Sequence, residues 1–271
     1  MKFTADLSFT SAPRRARHGW SPQWLFRADE AGAWFDPTDL TTLFQDAAGT
    51  TPVTAAGQPV GRMLDKSGRG NHATQATSAG RPTYQTSGGL HWLAFDGVDD
   101  FMVTPAINFT ATNKLSAFAA VDMRSASALG TVLHSGGAAA GAKRFGLFAP
   151  RGAGAGTGTY GIRVFDAAVA VIDASTSAFS VPDKAVLSGK WDNAAAAGLQ
   201  IALRRNAVDL AQAGSTMTGN FISDPVYIGN RGTDLPFNGN IYGLILRGAA
   251  TTNADLAIAE RFLAKRTGVT L

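Results

Sequence analysis

The chain has 271 residues, and its composition of 45% hydrophobic and 16% charged residues is typical of a folded globular protein. The absence of cysteine excludes disulfide frameworks and thiolate metal sites. The formal net charge of +4 is mild for this length, and 31 glycines spread along the chain predict many turns between short strands.

The N-terminal region, residues 1–30, is predicted to be an arm or anchor ahead of one β domain over residues 31–271. Its densest basic cluster comprises Arg14, Arg15, Arg17 and His18. Such a cluster suits contact with nucleic acid or another acidic surface, or an arm docked on a protein partner. Because no aromatic residues interleave with further basic ones, we expect a docked arm and no nucleic-acid partner.

The start of the chain lacks the apolar core of a signal peptide, and no stretch reaches ~18 consecutive apolar residues. We therefore expect a soluble chain that is made in a cytoplasm, without membrane insertion.

Residues 20–35 contain three of the five tryptophans, Trp20, Trp24 and Trp34. The favoured interpretation is packing in the core or at a subunit interface, and the alternative is an exposed face that stacks on carbohydrate.

A short early helix is predicted directly after this aromatic segment. Asp36 is a suitable N-cap, Pro37 suits the first helical position, and Leu40, Leu43 and Phe44 share one helical face. The helix is expected to end two residues after Phe44.

From residue 92 onward, short apolar runs separated by turn residues predict a series of strands. We place them at 92–96, 100–103, 114–123, 130–134, 144–148, 160–165, 168–173, 184–191, 199–205, 207–212, 226–229 and 237–247. The Ala/Gly/Thr-rich residues 152–159 are predicted to form a loop.

The last stretch switches to helical periodicity. Thr252 and Asp255 resemble a capping box, and Gly268 follows the final turn as a helix stop. One early helix, many strands and one C-terminal helix predict an all-β fold, a two-sheet antiparallel β-sandwich of jelly-roll type.

Four motifs in order resemble the laminin-G-like branch of the concanavalin A-like lectin/glucanase superfamily. They are LDKSGRGNHAT at 64–74, FDGVDD at 95–100, VYIGN at 226–230 and FNGNIYGL at 237–244. The resemblance covers residues 33–271 and implies a concanavalin A-like jelly roll.

A narrower resemblance is to domains of tailed-phage and prophage structural proteins. It is carried by WFDPTDLTTLFQD at 34–46, AGTTPVTAAGQPVG at 48–61 and LDKSGRGNHATQAT at 64–77. It implies a protein of the virion, on a tail fibre or the capsid surface, made in the host bacterial cytoplasm. The arm is not covered by the resemblance, so its docking to other virion proteins is inferred from its position and composition.

Asp65, Asp96, Asp99 and Asp100 are candidate calcium ligands, because calcium prefers clustered carboxylate and carbonyl oxygens. Many laminin-G-like proteins bind calcium at a sandwich rim, which is what the resemblance implies here. The alternative is that these aspartates serve only as acceptors for turn amides.

Catalytic chemistry has little support. The related glucanases use paired glutamates on one strand, whereas Glu30 and Glu260 are the only glutamates in this chain. Asp99 and Asp100 are adjacent, and neighbouring residues on a strand face opposite ways, which makes them a poor acid–base pair. No G-x-S-x-G elbow or H-E-x-x-H motif occurs. We expect no enzymatic activity.

The sequence therefore predicts a virion protein that exposes a laminin-G-like domain for adhesion to a host-surface glycan, in several copies and as a homo-oligomer. Recognition would be shallow, through rim loops at 66–72, 97–100, 136–143, 150–159 and 230–236. The alternatives are a structural capsid decoration or cement protein and, ranked last, a polysaccharide depolymerase.

Overall fold

The computed structural model describes residues 19–137, 141–154, 156–165, 171–214 and 217–271. The predicted basic cluster at residues 14–18 lies outside these ranges. No helix within them is long and apolar enough to cross a membrane.

The described residues contain eighteen strands and one α-helix. The strands are β1 (Gly32–Phe35), β2 (Leu43–Phe44), β3 (Arg62–Met63), β4 (Ala73–Thr74), β5 (Thr83–Ser87), β6 (Leu90–Asp96), β7 (Met102–Asn108), β8 (Lys114–Met123), β9 (Thr131–Ser135), β10 (Phe145–Gly154), β11 (Thr157–Phe165), β12 (Val171–Ser175), β13 (Phe179–Ser180), β14 (Asp183–Asp192), β15 (Ile201–Arg205), β16 (Val208–Ala213), β17 (Ser223–Ile228) and β18 (Asn238–Arg247). The helix, α1, spans Asn253–Thr267.

The strands form two antiparallel sheets, which confirms the predicted β-sandwich. The eight-stranded sheet has the order β16-β15-β14-β8-β18-β6-β5, with β1 also paired to β18. The ten-stranded sheet has the order β12-β11-β10-β9-β17-β7-β4-β3-β2, with β13 paired to β11. Chain-distant strands lie side by side at the centre of each sheet, as β8 and β18 do.

Two apolar clusters stabilise the fold. The larger lies between the sheets and includes Leu147, Ile162 and Trp191. The smaller lies between the outer face of the eight-stranded sheet and α1, where Phe118 and Leu263 are buried. Because β8 is covered on both faces, nearly all of its residues are buried, which explains its continuous apolar sequence.

The described residues before β1 pack on the sandwich. Residues Pro22–Phe26 form a 3-10 helix whose Leu25 and Phe26 are buried in the smaller cluster. Trp20 packs edge-on against Phe262 of α1, at 5.7 Å between ring centroids. Among the described residues, packing on the sandwich therefore begins at about residue 20, inside the predicted N-terminal region 1–30.

The early helix is reduced to one 3-10 turn, Leu40–Thr42, and the predicted helical residues Leu43 and Phe44 instead form strand β2. The predicted cap, Asp36, binds other partners, and Asp39 caps the turn. Pairing of β2 with β3 overrides the helical spacing of the apolar residues, because it completes the edge of the ten-stranded sheet.

Residues 152–154 and 157–159, within the predicted loop, pair with each other as the end of the β10–β11 hairpin. Gly152 pairs with Thr159, and the Thr159 hydroxyl accepts a hydrogen bond from the Gly152 amide at 2.8 Å. Low complexity hid this pairing, because glycine and alanine give no alternation of apolar and polar residues.

The C-terminal helix begins as predicted. The Thr252 hydroxyl accepts from the Asp255 amide at 3.2 Å and lies 3.0 Å from the Asp255 carboxylate, and Gly268 ends the helix with φ of 73°. We expect Thr252→Ala to lower the free energy of unfolding by about 1 kcal/mol, because one amide of the first turn loses its partner. Urea titration measures this loss, and Thr252→Ser should restore most of it. Equal losses in the two variants would contradict the capping role.

Candidate functional site

The β6–β7 turn carries a cluster of three carboxylates. Asp96, Asp99 and Asp100 each place an oxygen within 4.8 Å of the others. The Asp96 carboxylate accepts from the Val98 amide at 2.8 Å, and the Asp100 carboxylate accepts from the Asp96 amide at 3.0 Å. The backbone of the turn thus holds two of the three side chains in place.

Neighbouring residues fix the shape of this turn. Gly97 has φ of 78°, and a Cβ there would lie 2.6 Å from the Asn238 side chain, so glycine is required on both counts. The Asn238 side-chain amide donates to the Asp96 carbonyl at 3.0 Å and ties the turn to β18. The carboxylate cluster is therefore attached to the centre of the sheet rather than to a free loop.

The cluster has an unusual charge environment. Asp100 is 6% exposed, whereas Asp96 and Asp99 are exposed. Burial raises the pKa of Asp100 to about 6, and the negative charges of Asp96 and Asp99 act in the same direction. One carboxyl in three is thus poised to hold a proton in weakly acidic solution unless a cation is present.

A cavity of about 300 Å³ adjoins the cluster. It is lined by Ala79, Arg81, Thr83, Ala94, Phe95, Asp96 and Asp100. The Arg81 guanidinium donates to the carbonyls of Gln75, Ala76 and Gln45 at 2.7–3.1 Å, and it forms no ion pair with a described carboxylate. Arg81 was not identified from the sequence, since an isolated arginine in a loop carries no pattern.

The structure separates Asp65 from the other three predicted ligands. The backbone amide of Trp34 donates to the Asp65 carboxylate, and Trp34 pairs with Ile245 of β18. Asp96 pairs with Asn238, at the other end of β18. Ile245 and Asn238 are seven residues apart along β18, which corresponds to a distance of about 23 Å. Asp65 therefore cannot share a metal ion with the Asp96–Asp100 cluster.

Asp65 acts instead as the organiser of its own loop. Its two carboxylate oxygens accept from the amides of Trp34, Ser67 and Asn71 at 2.8–3.0 Å, and from the Ser67 hydroxyl at 2.8 Å. His72 is engaged in the same loop, where its Nδ1 accepts from the Asp65 amide at 3.0 Å. This network gives Asp65, Ser67, Asn71 and His72 of the motif at residues 64–74 structural roles within the loop.

The three carboxylates at the β6–β7 turn provide part of the ligand set that a calcium ion needs. Asp96 and Asp100 each keep one carboxylate oxygen free of hydrogen bonds to the described residues, and Asp99 keeps both. These oxygens are of the type that calcium prefers, and water or carbonyl groups would have to complete the six to eight ligands it takes.

A second cleft, larger than the cavity beside Asp96, lies on the outer face of the eight-stranded sheet beside α1 and has a volume of about 480 Å³. Its floor and walls carry polar residues from β8, β14, β15, β16 and the start of α1. It was not anticipated from the sequence, because it arises where a helix covers only part of a sheet.

Comparison with known proteins gives a fold but no family. No protein-family model matches the chain. No curated protein matches it in sequence.

Among solved structures, the fold is similar to the binding domain of botulinum neurotoxin serotype G, with a TM-score of 0.55 and 9% identity over 74% of this chain and 49% of that chain. It is similar to the binding domain of Paraclostridial Mosquitocidal Protein 1, with a TM-score of 0.52 and 12% identity over 78% of this chain and 51% of that chain. This chain thus spans about half the length of these toxin binding domains.

A third match extends over most of this chain and nearly all of the matched domain. Domain 4 of AbnA, a GH43 extracellular arabinanase from Geobacillus stearothermophilus, was solved in complex with arabinotriose. It has a TM-score of 0.52 and 16% identity, and the match covers 85% of this chain and 99% of that one. At these identities the likeness establishes the shared β-sandwich fold alone.

Proposed function

We propose that this chain is a non-enzymatic, glycan-binding domain of a tailed-phage virion protein, of laminin-G-like type. The observation that carries the binding role is the near-complete match to domain 4 of the arabinanase, whose structure contains arabinotriose. The toxin matches support the same class of role, since both are binding domains by name. The virion role rests on the sequence resemblance of residues 34–46, 48–61 and 64–77.

Recognition on the virion is shallow and multivalent. The 300 Å³ cavity beside Asp96 and Asp100 offers carboxylates and the Thr83 hydroxyl, groups that hydrogen-bond sugar hydroxyls. A single shallow site binds weakly, and display of many copies on one particle raises the avidity by orders of magnitude.

A glycan array tests the binding role. The purified domain, displayed at high density on beads, should be retained by at least one bacterial surface oligosaccharide and released by the same free sugar. Absence of retention at every position of an array that includes the host polysaccharide would sink the glycan-binding role and leave capsid decoration or cement.

Attachment to other virion proteins is proposed for residues 1–18, because residues 20–26 already pack on the domain. Deleting residues 1–18 should leave a folded domain that no longer joins virions, as measured by immunoblotting of purified particles. Incorporation at the wild-type level would show that the anchor lies elsewhere, for example on the homo-oligomeric contact we also propose.

That contact has a specific candidate surface. Val208 and Leu210 of the edge strand β16 are 57% and 37% exposed, and Leu199 beside the sheet is 51% exposed. Exposed apolar residues on an edge strand suit association with another chain. A purely structural subunit would use the same exposed apolar surface. This surface therefore supports capsid decoration as the second candidate function.

Calcium binding at Asp96, Asp99 and Asp100 is proposed as an aid to this rim. We expect Asp96→Asn combined with Asp99→Asn to weaken calcium binding by at least about tenfold, because affinity follows the number of charged ligands. Isothermal titration calorimetry measures the change.

The control for calcium binding is Asp29→Asn, which removes one carboxylate charge outside the Asp96–Asp100 cluster. Asp29 has φ of 60°, a left-handed conformation that asparagine tolerates. If both variants bind calcium as the wild type does, the carboxylates serve only the turn.

A depolymerase is the enzymatic alternative, because the Asp96, Asp99 and Asp100 cluster places carboxyl oxygens within 4.8 Å of one another, and paired carboxylates are the catalytic groups of most glycosidases. The two glutamates support the non-enzymatic role instead. Glu260 is buried against Ser188 and Arg204, and Glu30 is paired with Arg247. Release of reducing ends from capsule by the wild type, but not by Asp100→Asn, would establish the enzyme.

A further inference from the structure

The cleft beside α1 is built from two rows of residues that cross four strands. In one row, Ser116, Lys190, Ala202 and Gln212 are register neighbours on β8, β14, β15 and β16. The alternating residues of β14, such as Leu187 and Trp191, point into the core. The row therefore faces outward, away from the space between the sheets.

The second row runs alongside it through Phe118, Ser188, Arg204 and Asp209. Helix α1 packs over the central strands β8, β14 and β18 and leaves part of the outer face of β15 and β16 open. Beside the area that the helix covers, small residues of the sheet form the floor of the cleft, and the first turn of α1 forms one wall. The resulting volume of about 480 Å³ lies in the usual range of ligand pockets, roughly 300–1,000 Å³.

A buried carboxylate fixes the floor. The Glu260 side chain is 1% exposed, and its Oε1 accepts from the Ser188 hydroxyl and from Arg204 Nε, both at 2.9 Å. Its Oε2 is also buried and has no hydrogen-bond partner among the described residues. Because the Ser188 hydroxyl donates its hydrogen bond to Glu260, its oxygen can only accept hydrogen bonds from a ligand in the cleft.

The remaining groups supply both donors and acceptors. The side-chain amides of Gln212 and Asn253 have no hydrogen-bond partner among the described residues, and each offers a donor and an acceptor. Lys190 is half exposed, and its closest carboxylate oxygen, on Asp192, is 4.0 Å away. Its ammonium is thus available to a ligand.

The charges in and directly beside the cleft cancel. The cations of Lys114, Lys190 and Arg204 are balanced by the carboxylates of Asp192, Asp209 and the buried Glu260, and Arg204 already binds Asp209 at 2.9 Å. A strongly anionic or cationic ligand gains no net attraction from such a lining. Groups that pair donors with acceptors, beside the apolar Leu256, complement an uncharged molecule rich in hydroxyl groups.

We propose that this cleft is a binding site for an uncharged oligosaccharide, separate from the rim beside Asp96. The proposal rests on the proposed glycan-binding function and adds to it a second site with a stated ligand class. Lys190, Gln212 and Asn253 contact the sugar hydroxyls, and Leu256 contacts the apolar face of a sugar ring.

The test compares cleft variants on an array of matched neutral and uronic-acid oligosaccharides. Lys190→Ala combined with Gln212→Ala should weaken binding to the neutral glycan about tenfold, because two hydrogen bonds are lost. Ala202→Trp fills the floor and should abolish that binding. The control is Lys184→Ala, an exposed position on the same face of β14 but outside the cleft, and it should bind as the wild type does.

The outcomes separate the two proposals. Unchanged neutral binding in Lys190→Ala/Gln212→Ala, or in an Ala202→Trp protein whose thermal unfolding is normal, overturns the cleft and leaves glycan binding standing. Wild-type binding to acidic glycans alone overturns the ligand class. Wild-type binding to no glycan overturns the proposed function and the cleft with it.

Discussion

Replacing Trp191 by alanine is expected to lower the free energy of unfolding by about 4–5 kcal/mol, because a large fully buried side chain leaves a cavity. Trp191 is inaccessible to solvent and packs against Phe145, at 5.3 Å between ring centroids. Its indole donates to the Arg163 carbonyl on the opposite sheet at 2.8 Å, so the substitution also removes a bond between the two sheets. Equilibrium unfolding in guanidinium chloride measures the loss.

Trp24→Ala is the matched control, since Trp24 is 43% exposed and contacts Arg27 at the surface. It should change the unfolding free energy by less than about 0.5 kcal/mol. Similar losses for the two substitutions would contradict the assignment of the main core to the space between the sheets.

The second large effect is expected at Asp36, where a buried carboxylate joins the end of β1 to α1. Arg266 binds both of its oxygens, at 2.8 and 3.1 Å, and Lys66 lies 3.4 Å away. Asp36→Ala leaves these cations without their buried partner and should cost about 3 kcal/mol, at the low end for buried pairs because both cations are partly exposed.

The effect of Asp36 is expected to depend on pH in a defined direction. Burial alone would raise the pKa of Asp36, but hydrogen bonds and charge from Arg266, helped by Thr38, lower it from 3.8 to about 2. A carboxyl with a lowered pKa stabilises the fold above its unfolded value and loses that contribution as pH falls through its folded value. The stability gap between the wild type and Asp36→Asn should therefore be full above pH 4 and shrink towards pH 2.

Asp39→Asn is the control for this profile, because Asp39 pairs with the same Lys66 but is 33% exposed. Exposed pairs contribute about 0–1 kcal/mol, so its gap should be small throughout. A gap for Asp36→Asn that grows on acidification would contradict the charge network.

Local sequence signals predicted much of the fold. The apolar runs at 114–123 and 184–191 became β8 and β14, and the turn at Asn206 and Ala207 closes the β15–β16 hairpin with both φ values positive. The cap at Thr252 set the start of α1. These features succeeded because each depends on neighbours in the chain.

The failures involve contacts between distant parts of the chain. The distance between Asp65 and Asp96 follows from the length of β18, which the spacing in sequence does not reveal. The cleft beside α1 depends on where a helix covers a sheet. Alternation along β14 indicates that Ser188 and Lys190 share a face, but not that this face stays open.

The most direct test of non-enzymatic glycan binding measures retention and cleavage together on one immobilised host polysaccharide. We predict that the protein is retained, that the matching free sugar releases it, and that the number of reducing ends stays constant over hours. Reducing ends that accumulate with time, or a protein that passes through without retention, would contradict the account.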